Sequence, residues 1–491
     1  MWNKLPLTQE TMWRITIFLL VSLLFFIRMM TPSDLENYAQ SLNLGYISDL
    51  LWGDKNFLVQ HDFKGVVMSK PPLHTWLMYP FVLLFGVDRF AISLVSFFSI
   101  LLLALLIFEF TKQYFSTVTA GLAALTLLLA PPFFKQVALV RTDPLFTLLI
   151  AFGAFSAFHA WNTGGSWLRF WLAGALSTLT KGPLGLILSA VGLFGLIRQQ
   201  ATGRTTSHSH CQFTCAFSVF LFITLSWFLS AWYIEGQALI DKMFISELIK
   251  HAIVPHNGDK GALKLLIPTG YLLARFLPFS LFLIVALKRV FVNPAEDPLE
   301  RNLERFLTSW LLVGLLIFSL VKHQRVDHLI PLWPPAAILI ARELSLLMVR
   351  FGQQRFLMAF LPIVIILLIG GGYKLIYHKE GSRSQLSRQL VVDAKMAAET
   401  FLQQGFNPDN LYYFKTPQSL HMYLKSYHQW STKEEIERLL QQSSTPIFLA
   451  LGSISLDDVK LQTPMQTPKL IFRWPKQDNV KPVFQVYQIR K

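Results

Sequence analysis

Eleven stretches of this chain are apolar for close to the length a lipid bilayer demands, and no other feature constrains the fold as strongly. A hydrocarbon layer about 30 Å thick takes roughly 20 apolar residues in a helix rising 1.5 Å per residue. The runs fall near 13–30, 89–110, 117–135, 144–161, 167–180, 183–198, 213–232, 266–287, 305–321, 328–347 and 355–373. With 53% hydrophobic and 15% charged residues among 491, the chain is too apolar for one water-soluble globule. A twelfth run, Leu73–Gly86, is about two thirds of a span and lies between Pro71-Pro72 and Gly86; it is expected to rest in the membrane interface, with Trp76 and Tyr79 at headgroup level. The fold class expected is an all-α polytopic membrane domain of about 11 spans plus interfacial helices.

Charge sets the orientation. With the N-terminus cytoplasmic, the connections carrying Lys112, Arg169, Arg198 with Arg204, Lys288 to Arg305 and Arg342 to Arg355 all lie inside, as the positive-inside bias requires. The net charge of +15 is spread over these short loops and forms no basic domain, so membrane topology explains it and nucleic acid is not an expected partner. Lys4 and Arg14 precede the first run and no small-residue cleavage site follows it, so that run reads as an uncleaved span. Cys211 and Cys215, four apart at a cytoplasmic edge, exclude a disulfide scaffold. Beyond residue 373 the composition turns polar, with a helical stretch at 384–404, a capping box at Thr432 to Glu435 and β-rich runs at 446–451, 469–474 and 482–489. This divides the chain into a membrane domain, 1–373, and a small extracytoplasmic α/β domain, 374–491.

The outside connections then hold an unusual set of charges: Asp34 and Glu36, Lys70, Asp143, Lys181, Glu247, His251, His256, and Lys322 with Arg325, Asp327 and His328. Cations are costly to place outside, and several kept near one membrane surface suit anion binding, lipid phosphates being the anions at hand. Asp34 and Glu36, two apart, suit a general base beside an orienting carboxylate, or a solvated pair at the start of a helix over 34–51. Pro71-Pro72 stiffens the turn after Lys70, and Asp143 precedes Pro144 at a helix start. Glu247 and His251 share a helix face, with His256 five further on. A divalent metal ion, Zn²⁺ or Mn²⁺, is one reading of these three, and unliganded loop residues are the other. The tract His208 to Cys215 also has zinc-ligand residue types, but it falls on the cytoplasmic side.

Five motifs in order carry a resemblance: Asp34-x-Glu36; Lys70-Pro71-Pro72-Leu73 with Trp76; Arg141-Thr142-Asp143-Pro144-Leu145; Leu179-Thr180-Lys181-Gly182-Pro183; and Lys322 followed by Leu329-Ile330-Pro331-Leu332-Trp333-Pro334. The chain resembles the polyprenyl-phosphate-dependent glycosyltransferases of the GT-C superfamily, and within it the bacterial aminoarabinose transferases of lipid A modification, whose relatives include the protein O-mannosyltransferases. The resemblance covers residues 10 to about 345. It implies a cavity open outward, an undecaprenyl-phosphate sugar donor, a lipid or protein acceptor, and a place in a bacterial inner membrane with the 374–491 domain periplasmic. Carried over by position, it implies catalytic roles for Asp34, Lys70 and Asp143 and substrate contacts for Glu36, Lys181, Lys322, Arg325 and His328. Two positions depart from the family pattern: Ser69 stands where a glutamate is usual, and His328 where a tyrosine is usual. A transporter or lipid flippase is the competing class, but such proteins gather ionisable groups near the midplane and show paired repeats; here Glu109 is one of few charges within an apolar run, and the others collect at helix ends. A scaffold protein would leave the outside charges unexplained.

Overall fold

The computed structural model describes residues 8–31, 35–201, 210–250, 265–321, 324–377, 382–443, 445–461, 466–477 and 480–490. The chain divides into two compact units: Met1–Met30, Ser69–His74 and Val95–Tyr377 form one, and Thr31–Met68, Thr75–Leu94 and His378–Lys491 the other.

The first unit is helical. Among the described residues seven helices are long and apolar enough to cross a membrane: Gln9–Met30, Arg89–Lys112, Asp143–Thr163, Gln212–Glu235, Pro298–Leu320, Val326–Phe351 and Gln353–Tyr373. The run at 266–287 is a pair, Ile267–Arg275 and Ser280–Val292, bent by 117°, and makes an eighth if counted as one span. Three expected spans are shorter apolar helices: Thr117–Leu128, Leu168–Lys181 and Leu184–Leu196. Among the described residues, helix length alone does not confirm the expected count of about eleven spans, because breaks interrupt the apolar runs. Pro131-Pro132 drives the residue before it out of helical geometry, so Thr117–Leu128 stops short and Pro131–Gln136 restarts. Gly182 adopts φ +98°, open to glycine, and Pro183 follows it, which ends Leu168–Lys181. Leu73–Phe85 is 13 residues long and stops before Gly86, short of a span as its sequence indicates.

Small residues bring the helices together. The helices Asp143–Thr163 and Leu168–Lys181 form a hairpin closed at left-handed Gly164. A Cβ on Gly185 would lie 2.6 Å from Ser177 and 2.7 Å from Phe146, so the segment starting at Leu184 packs closely on both arms because that position is glycine. In lipid, helices gain little from hydrophobic contact, and close approach of this kind supplies the attraction instead. Buried charges are paired: the Arg289 Nε donates to Glu343 at 2.7 Å and its Nη2 at 3.1 Å, and Arg342 pairs with the buried Glu304.

The second unit joins the outer loop after the first span to the C-terminal region. Its helix Tyr38–Trp52 begins after Asn37, four residues later than the 34–51 helix expected. A four-stranded sheet, β1 (Tyr412–Phe414), β2 (Ile447–Leu451), β3 (Lys469–Trp474) and β4 (Phe484–Ile489), has the order β1-β2-β4-β3. β1 runs parallel to β2, with Tyr412 opposite Leu449; β4 runs antiparallel to both β2 and β3. Helix Ser382–Gln403 lays Ala394, Ala397, Ala398 and Phe401 on the sheet core of Tyr413, Phe472 and Phe484. The capping box is present: Thr432 accepts from the Glu435 N–H and Glu435 from the Thr432 N–H. Losing a cap of this type costs about 1 kcal/mol. Thr432→Ala is therefore expected to lower the stability of this unit by about that amount, read as a shifted urea midpoint of the full chain, and Thr432→Ser to restore it.

Candidate active site

The helical hairpin dictates the centre of the site. Because the two arms run antiparallel, the start of Asp143–Thr163 and the end of Leu168–Lys181 come to the same level, and the Lys181 ammonium donates to the Asp143 carboxylate. Thr142 is the N-cap residue and Pro144 stands in the first turn, so Asp143 is the first helical residue and not the cap. Its side chain is 12% exposed and that of Lys181 22%, a geometry in which an ion pair exchanges little with water. Lys181 also lies 5.5 Å from the centre of the Phe146 ring.

Lys70 enters from the segment Ser69–His74 of the same unit, within electrostatic reach of Asp143, as is Arg141. Arg141 donates through Nη1 to Asp327 at 2.6 Å, and Gln136 Nε2 donates to the other Asp327 oxygen at 3.2 Å. Asp327 thereby ties the late loop to the mouth of the hairpin. His74, 1% exposed, lies beside this group; burial, with the Lys70 ammonium near it, pulls the imidazole down to about 3, so it is neutral at physiological pH. Among the described residues, Lys70, Lys181 and Arg141 stand together with Asp143 and Asp327. Such a cluster can hold one anion against buried helix ends and stabilise negative charge as it develops.

The residues expected from sequence divide into three groups. Lys70, Asp143 and Lys181 come together. Arg325 and His328 line a small pocket of the first unit with Pro268, Tyr271, Phe318, Gln324 and Leu329. Glu36 belongs to the second unit, where it accepts from Ser419 N at 2.6 Å, Ser419 Oγ at 2.5 Å and Gln418 N at 3.2 Å. Those donors reach both of its oxygens. Asp34, Lys322, His251 and His256 lie outside the described residues, as does the side chain of Glu247. Among the described residues no group of three His, Cys, Asp or Glu side chains is placed to hold a metal ion. Sequence reading passed over His74, although a histidine straight after Lys-Pro-Pro-Leu in an apolar run is itself a signal, and it named Asp327 without giving it a role.

Residues 69–227 match the dolichyl-phosphate-mannose-protein mannosyltransferase family. An undecaprenyl phosphate-alpha-4-amino-4-deoxy-L-arabinose arabinosyl transferase of Erwinia tasmaniensis is 26% identical over 398 residues, 76% of this chain and 68% of that one. An uncharacterized Aquifex aeolicus protein is 28% identical over 310 residues, 60% of this chain and 65% of that one. The chain thus spans about two thirds of the length of these relatives. In structure it is similar to ArnT from Cupriavidus metallidurans bound to undecaprenyl phosphate, with a TM-score of 0.74 at 14% identity over 97% of this chain and 98% of that one, a likeness of fold.

Lys181→Met is expected to leave the Asp143 carboxylate without its ammonium, at a cost of about 3 kcal/mol. Adding Asp143→Asn should return at least about 1 kcal/mol of that, because the two sites are coupled. Thermal unfolding of the four proteins of this cycle in detergent measures it, and strictly additive losses would show the pair to be inert.

Proposed function

We propose that this chain, a membrane glycosyltransferase of the polyprenyl-phosphate-dependent GT-C class by fold and by sequence, moves an aminoarabinose-like pentose or a hexose from undecaprenyl phosphate to a lipid acceptor such as lipid A. The transfer takes place on the periplasmic side of a bacterial inner membrane, with inversion at the anomeric carbon. The N-terminus is cytoplasmic, residues 1–373 are the catalytic domain, and residues 374–491 lie in the periplasm. The observation that carries this reading is the Asp143–Lys181 pair at two helix ends with Lys70 in electrostatic reach.

In the transfer, the acceptor oxygen forms a bond to the anomeric carbon while the bond from that carbon to the donor phosphate oxygen breaks, its electron pair staying on the phosphate. The polyprenyl phosphate leaves with added negative charge, and fixed cations lower the barrier most when they meet charge that was absent in the ground state. Lys70 is the group assigned to it, held by Pro71-Pro72 so that little freedom is lost, with Lys181 behind it. Asp143, engaged with Lys181, keeps that lysine oriented and offers its remaining oxygen to a hydroxyl or amino group of the sugar. A lipid phosphate acceptor is already anionic and needs no base, whereas a hydroxyl acceptor would call on Asp34. Arg325 and His328, with Lys322 beside them in sequence, are assigned to the acceptor headgroup. A divalent ion at Glu247, His251 and His256 enters no step.

A protein acceptor is the second reading, favoured by the mannosyltransferase match over 69–227. Mass spectrometry of lipid A and of extracytoplasmic glycoproteins, from cells with and without the chain, separates the two. Lys70→Ala is expected to lower product at least about 100-fold, the scale of removing one charge-stabilising donor, while insertion and abundance stay unchanged. A sugar mass lost from lipid A supports the lipid acceptor, a loss confined to protein the alternative. Full activity of the variant would remove Lys70 from the mechanism, and no product in any strain would return the transporter class.

A further inference from the structure

The outer loop from Leu35 to Met68 is fastened to the C-terminal region at two places, which the transfer chemistry does not explain. At the first, Glu36 takes all three hydrogen bonds from Ser419 and Gln418. At the second, Tyr427 donates its hydroxyl to the Asp62 carbonyl at 3.0 Å and Trp430 its N–H to the Phe63 carbonyl at 2.7 Å. The Phe63 ring stacks on His421 there, at 4.5 Å between centres. Between these points the loop is stiffened from within, since the Asp49 carboxylate accepts from the backbone N–H of His61 at 2.7 Å and of Asp54 at 3.2 Å. Two residues after Met68 the chain reaches Lys70.

We infer that Ser419 and Glu36 are positioning residues for the transfer: Ser419 holds Glu36, and Glu36 holds the outer loop whose chain continues into Lys70. The inference rests on the function proposed above and gives residues 374–491 a part in it. A loop tied at only one end regains backbone freedom, and a lysine whose approach is no longer fixed loses rate even though its charge remains. Glu36 works here as an acceptor of hydrogen bonds. Burial pushes its carboxyl above the ordinary value against the pull of the Ser419 and Gln418 donors, and an amide in its place gives up the charge but keeps one acceptor oxygen for Ser419.

That distinction supplies the test. Glu36→Ala, Glu36→Gln, Ser419→Ala and the double alanine variant are made in the full chain, and product is read by mass spectrometry beside hydrogen exchange of the 35–68 peptides in detergent. Glu36→Ala is expected to lower product about tenfold or more, Glu36→Gln to restore most of it, and Ser419→Ala to fall between. The double variant should be no worse than Glu36→Ala alone, because both act through one contact. Exchange in 35–68 should rise in the alanine variants and stay near wild type in Glu36→Gln. Glu36→Gln as inactive as Glu36→Ala with its exchange unchanged would overturn the proposal and return Glu36 to the substrate, and so would alanine variants at wild-type activity. Should Glu36→Ala not accumulate, Ser419→Ala, which keeps the backbone donor, carries the test. Absence of product from the wild type would count against the glycosyltransferase reading, while the exchange measurement would still decide whether the loop is held.

Discussion

Hydrocarbon offers a peptide group no hydrogen-bond partner, and the membrane-embedded part of this protein is organised around that fact. A backbone crossing the layer must satisfy its own N–H and C=O groups, so the apolar runs become helices, and irregular backbone is confined to places where protein or water can meet it. The interruptions here sit at such places. Gly182-Pro183 ends the helix that carries Lys181, and the turn before Pro144 carries Arg141 and Asp143. The residues that break the helices thus also bring polar chemistry to their ends.

Charge follows the same economy. A lysine or aspartate near a helix end inside a membrane protein is tolerable only with a partner, and the structure pairs Asp143 with Lys181, Arg141 with Asp327, Arg289 with Glu343 and Arg342 with Glu304. The first two pairs differ from the others in company. They share their surroundings with Lys70 and with a buried neutral histidine. Arg289 and Arg342 belong to connections whose basic residues read as cytoplasmic, and they pair with Glu343 and Glu304.

The second unit follows the rules of a water-soluble domain. Its helix Lys433–Gln442 carries a capping box, its sheet covers a core of alanines and aromatics, and polar residues such as Tyr427 hold its loops by hydrogen bonds. Glu36 shows how the setting changes a residue's role. In sequence it is half of an Asp-x-Glu pair that suits acid–base chemistry; in the structure its two oxygens are taken by donors almost four hundred residues away.

Apolar length and loop charge were sufficient to reveal a polytopic membrane protein, since the transfer of a segment into lipid depends on the composition of that segment alone. The short apolar helix at Leu73 to Phe85, the capping box at Thr432 and three of the four strands were legible for the same reason: each is a local preference written in neighbouring residues. Lys70, Asp143 and Lys181 stood out individually through proline-marked and glycine-marked motifs. Their partnership did not, because 38 residues separate Asp143 from Lys181, and only the antiparallel hairpin and the close approach at Gly185 bring them together. Apolar length did not show where proline and glycine cut a run into shorter helices, and β1 escaped notice because three residues carry too little alternation to read. Sequence determines what each segment can enter, lipid or water; which charge meets which is settled only when distant segments pack.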